Sequence, residues 1–145
     1  MKRFKGIAVL SSLLLFGALS AAEAEMVTIY GPVYITKAEH RHNEHHNKET
    51  KLNFTAPTPG AGVIVVKNGG DSGKKSRVSS AEIELNGQDV AKEKDFKKNA
   101  EVLEYNVTLQ AENELEVKVE SCKECEIEIS VKGEPAPPPI RPLTR

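Results

Sequence analysis

The sequence predicts an all-β fold built as a single antiparallel β-sandwich. Three observations carry this. Apolar and polar residues alternate with period two in run after run, which is the pattern of half-buried strands. Clusters of turn-forming residues, such as Asn68-Gly69-Gly70-Asp71-Ser72-Gly73 and Asn86-Gly87, separate the runs. The polar positions within the runs are mostly Glu and Lys, as expected where one face of each sheet meets water.

Residues 1–24 read as a secretory signal peptide. Lys2, Arg3 and Lys5 give a positive start, Gly6 to Leu19 is an apolar run, and Ala22-Glu23-Ala24 is an A-x-A cleavage site. The run falls short of the ~20 apolar residues that a membrane span needs, so it reads as a leader rather than an anchor. No Cys lies at the cleavage point, which argues against an N-terminal lipoprotein. The full chain of 145 residues has a net charge of -1. Removing Lys2, Arg3, Lys5 and Glu23 with the leader leaves 121 residues with a net charge of -3, enough for one core.

The strands then follow in order. Val27, Ile29, Val33 and Ile35 keep one parity, interrupted by Gly31-Pro32, and place Tyr30 and Tyr34 on the opposite, exposed parity. Leu52 and Phe54 mark a short second strand, and the β-branched run Val63-Ile64-Val65-Val66 marks a central one. Ala81, Ile83 and Leu85 alternate with Glu82 and Glu84 up to the Asn86-Gly87 turn. Residues 91–100 lack an apolar stripe and read as a loop anchored by Phe96. Leu103, Tyr105, Val107 and Leu109 form the next alternating run. Leu115, Val117 and Val119 share a face with Ile127, Ile129 and Val131, so a hairpin is expected with Val119 opposite Ile127 and Val117 opposite Ile129. The expected core is Ala81, Ile83, Leu85, Leu103, Tyr105, Val107, Leu109, Leu115, Val117, Val119, Ile127 and Ile129. About seven strands result, in a jelly-roll or immunoglobulin-like sandwich over residues 25–133. Residues 134–145 contain five prolines, cannot pair in a sheet, and are expected to form an extended, disordered tail.

The series Arg77-Val78-Ser79-Ser80-Ala81-Glu82-Ile83-Glu84-Leu85-Asn86-Gly87, then Asp95-Phe96, Val107-Thr108-Leu109 and Asn113-Glu114-Leu115-Glu116-Val117, resembles a small secreted bacterial β-sandwich module. Tyr30-Gly31-Pro32 fits the same layout, and the resemblance covers Val27 to Gly133. It implies a fold and an export class, and it brings no catalytic residues. The chain departs from that pattern in a His-rich stretch and in its two cysteines.

Those two departures are the segments with chemistry. Residues 38–47 hold His40, His42, His45 and His46, with Glu39 and Glu44 beside them. Neutral imidazoles bind Zn, Cu or Ni, although no finger-type spacing is present. The alternative is a polar connection between the first two strands. Cys122-Lys123-Glu124-Cys125 is a C-x-x-C without the βαβ setting of a thioredoxin, and Glu126 stands where c-type haem attachment needs His. In an exported chain it reads as a local disulfide between Cys122 and Cys125. Asn53-Phe54-Thr55 and Asn106-Val107-Thr108 are glycosylation sequons, relevant only in a eukaryotic secretory route.

Several function classes are disfavoured. The near-neutral balance opposes nucleic acid as a partner, because phosphate neutralisation needs a basic excess. No Ser/His/Asp set can be assembled, since every His lies in one short polar segment. With no Trp, four Phe and three Tyr, a stacking platform for sugars is hard to build. The sequence therefore favours a non-enzymatic exported module with a structural, adhesive or protein-interaction role, in the periplasm or outside the cell. A protein or surface polymer is its expected partner. A metal-binding protein using the four histidines is the alternative, and a carbohydrate-binding module a further one.

Overall fold

The computed structural model describes residues 25–36, 49–97, 99–120 and 124–139. The expected signal peptide, the histidine segment and Cys122 lie outside the described residues. Eight strands run in chain order: β1 Val27–Thr36, β2 Glu49–Thr55, β3 Gly60–Asn68, β4 Ala81–Leu85, β5 Gln88–Ala91, β6 Val102–Leu109, β7 Glu112–Val119 and β8 Glu126–Gly133. They form two four-stranded sheets, ordered β1-β8-β3-β6 and β2-β7-β4-β5, with every pairing antiparallel.

The pairings are nested. β1 pairs with β8, β2 with β7, β3 with β6, and β4 with β5. The chain is thus one long hairpin, turned at Asn86-Gly87 and folded over on itself. β3 with β8 and β4 with β7 complete the two sheets. This is the jelly-roll winding, four strands on four, and not the immunoglobulin arrangement. Asn86 at φ 53 and Gly87 at φ 75 supply the two positive φ values that a two-residue hairpin turn demands.

Burial explains why these residues make these strands. β7 and β8 alternate strictly, with Leu115, Val117, Val119, Ile127, Ile129 and Val131 all buried between the sheets. β3 is central in its sheet, yet of its run Val63-Ile64-Val65-Val66 only Ile64 and Val66 face the core; Val63 and Val65 are half-buried on the outer face. Outside the strands, Phe96 is buried beneath the β5–β6 connection, as its anchoring role requires.

Four expectations are corrected. First, β7 and β8 do not form a hairpin. They lie in opposite sheets, and Val117 pairs with Thr50 and Ile83 while Ile129 pairs with Val33 and Val66. Parity says only that both strands face the core, a condition met equally by strands in one sheet and by strands facing each other across it. The C-x-x-C therefore belongs to a crossover between sheets. Second, residues 88–91 form a strand that brings the number to eight. Third, Tyr30 is not exposed. Register shifts on either side of it turn Tyr30 to the side of Val131, where it stacks on Phe54 of β2 with ring centroids 4.9 Å apart. Gly31 at φ 87 makes this possible, since a Cβ there would lie 2.5 Å from the Ile129 carbonyl oxygen. Tyr34 keeps the expected parity and is 50% exposed. Fourth, Leu103, Tyr105 and Val107 are only half-buried, for a reason given below.

Candidate functional site

A sandwich has two open sides, where the edge strands of its sheets face each other. On one side β1 lies near β2, and the Tyr30–Phe54 stack spans the gap between the sheets. On the other side β6 lies near β5. β5 has four residues and β6 has eight, so half of β6 has no strand facing it across the interior. Between β5 and residues 104–108 of β6 lies a cleft of about 640 Å³.

The walls of the cleft mix polar and apolar groups, Leu85 of β4 among the latter. β5 and its turn contribute Asn86, Gln88, Asp89 and Val90. β6 contributes Glu104, Tyr105, Asn106, Val107 and Thr108. Tyr105 is the residue with unmet chemistry. Its hydroxyl is shielded from solvent and has no hydrogen-bond partner among the described residues. Burial raises the phenol's pKa above its ordinary value, and the Asp95 carboxylate adds to the rise. The neutral O–H donor is thus preserved, and a buried donor without an acceptor is a cost that a ligand can remove.

Of the cleft residues, Asn86 is already committed to the fold. Its Nδ2 donates to Asn113 Oδ1 at 3.0 Å, and its Oδ1 accepts from the Glu114 N–H at 2.9 Å. Asp89 forms an exposed ion pair with Lys92 at 3.0 Å. The exposed side chains of Glu104 and Asn106 carry no ion pair or hydrogen bond among the described residues.

The residues singled out in the sequence lie elsewhere. Thr36 and Glu49, which flank the histidine segment, sit at the same end of the sandwich as Asn68, Ala81, Val102 and Val119. Four connections leave from that end. His40, His42, His45 and His46 themselves are outside the described residues. Among the described residues no group of three or more His, Cys, Asp or Glu is placed to hold a metal ion. Cys125 is buried, its sulfur 3.3 Å from the Arg77 carbonyl oxygen. Its expected link to Cys122 falls outside the described residues with Cys122. Among the described residues no helix is long and apolar enough to cross a membrane.

Sequence reasoning assigned Tyr105 to the core, read Asn106 only as part of a glycosylation sequon, and gave Gln88 and Asp89 no role. The one available signal was a tyrosine in a core parity, whose hydroxyl needs a partner there. No protein-family model, no curated protein and no solved structure matches the chain.

Proposed function

We propose that the chain is a non-enzymatic, exported interaction module, and that it engages a protein along its open β5–β6 side. The observation that carries this reading is the β6 edge. Natural sheets blunt their edges with prolines, bulges, charges or short strands. β1 is interrupted by Gly31-Pro32 and its register shifts, β2 presents Lys51 in ion pairs with Glu114 and Glu116, and β5 is short and irregular in register. β6 pairs with β3 without a break from Val102 to Leu109, has no Pro and carries Glu104 as its single charge, leaving a long, unbroken edge. Such an edge takes an added strand, with backbone groups giving affinity and the adjoining cleft giving selectivity. The export half of the reading rests on the amino-terminal sequence. The same reading takes Cys122 and Cys125 as a local disulfide without catalytic work; the mass of exported protein, with and without reductant, tests it.

The cleft's amide and carboxylate side chains also favour a second reading, a polyhydroxylated surface polymer as ligand. A photo-crosslinking residue placed in turn at Asn106, Gln88, Thr55 and Lys132 in producing cells separates these. Protein adducts at Asn106 and Gln88 but not at Thr55 or Lys132 support the proposal. Glycan adducts at the same two positions favour the second reading. Adducts spread evenly over all four positions overturn both.

A further inference from the structure

We infer that the strand docking on β6 is β6 of a second copy of this chain, placed antiparallel across a two-fold axis through Tyr105. This rests on the reading of β6 as the docking edge. Directly opposed residues in an antiparallel pair share a face, so the axis must pass through a residue and not between two. An axis at Glu104 sets two carboxylates against each other. An axis at Tyr105 places Glu104 opposite Asn106, Leu103 opposite Val107 and Val102 opposite Thr108. No like charges meet, and the charge on Glu104, which has no ion pair among the described residues, faces a neutral amide. Val102, 53% exposed in the single copy, gains a neighbour. The half-buried Leu103 and Val107 extend their apolar row across the joint. The two Tyr105 side chains come together with Cβ atoms about 4.5–5.5 Å apart, so the two clefts merge around the unpartnered hydroxyls. The β1-β8-β3-β6 sheets of the two copies become one continuous sheet. A homodimer of this kind is isologous and closes on itself, so it does not propagate into fibres.

The test is the association state of the purified chain beginning at Glu25, followed by sedimentation across a concentration series. Glu104 and Asn106 are both exposed, so charge changes there leave the monomer's packing untouched. Asn106→Lys creates two opposite-charge pairs across the axis and is expected to tighten the dimer roughly tenfold. Asn106→Glu creates two Glu–Glu pairs and is expected to loosen it by a similar factor. Glu104→Lys combined with Asn106→Glu restores it. If Asn106→Lys and Asn106→Glu both weaken association, the axis lies at Asn106 and the inferred register is wrong. If the chain stays monomeric while photo-adducts to another protein form at Asn106, the second copy is overturned and the interaction reading stands. A monomer without adducts at β6 ends both.

Discussion

Two buried asparagines hold the ends of the sandwich. At the end with the long connections, Asn68 acts as a substitute backbone unit. Its Oδ1 accepts from the Val78 N–H at 2.7 Å, and its Nδ2 donates to the Val78 carbonyl at 3.1 Å and toward the Lys97 carbonyl at 3.4 Å. One side chain thereby ties the end of β3 to the approach to β4 and to the β5–β6 connection. At the other end, Asn113 Oδ1 accepts from the Gln110 N–H and its Nδ2 donates to the Gln110 carbonyl. Asn68→Ala leaves both buried Val78 backbone groups unpaired and is expected to cost about 2–4 kcal/mol in urea melts. Asn68→Asp keeps the acceptor and loses the donors. Its loss should shrink as pH falls and the buried carboxyl regains a proton, visible as a melting temperature that rises toward acid relative to Asn68→Ala. Asp71 gives the opposite sign. The Tyr34 hydroxyl at 2.8 Å and the Lys67 ammonium at 3.0 Å hold its carboxyl below the usual range. A depressed folded-state pKa contributes stability that is present above the ordinary carboxylate range and lost as pH falls through the lower value. Asp71→Asn should therefore flatten the acid limb of a stability–pH curve and leave its shape near neutrality unchanged.

At the scale of the element, small residues decide how closely the sheets are filled. Gly62 and Gly133 pair with each other across β3 and β8, and both point inward beneath Leu109. A Cβ at Gly62 would lie 2.5 Å from Leu109 Cδ1 and 3.0 Å from the Lys132 carbonyl oxygen. Leu109 is buried because those two glycines leave it room. Gly62→Ala should overpack this spot and cost about 1–3 kcal/mol, while the double change with Leu109→Val recovers part of the loss. Chemical denaturation of the two variants and the parent checks this. The Pro-rich tail begins under a constraint of the same local kind. Thr58 Oγ1 donates to the Pro135 carbonyl at 2.9 Å, so the expected free tail is fastened at its start to the β2–β3 connection.

For the whole molecule, the two open sides differ in how well they are filled. Ile83 sits at full burial between the sheets, whereas Leu103 on the edge strand β6 is only half-buried. Ile83→Ala should cost about 2–4 kcal/mol, and Leu103→Ala distinctly less, because the second site never lost all of its water. Equal losses in parallel denaturation series would mean that the β5–β6 side is closed in solution. The underfilled side is also the one with the long, unbroken β6 edge on which the proposed docking rests.

The sequence alone determined the strand class, most strand positions and which residues face inward. Alternation is a local property: Ile127, Ile129 and Val131 must lie on one face of a strand whatever that strand pairs with. The Asn86-Gly87 turn was equally legible, because its φ requirement belongs to those two residues. The partner of each strand was not legible. Nothing near β7 says that it pairs with β2, far back in the chain, rather than with β8, because the core lies between all of them and rewards the same parity. The inward turn of Tyr30 depends on bulges that exist only once β1 meets β8. The half-burial of Tyr105 depends on the cleft between β5 and β6, which exists only once the two sheets pack. The candidate site arises between the edge strands of two different sheets, so only the tertiary structure could decide it.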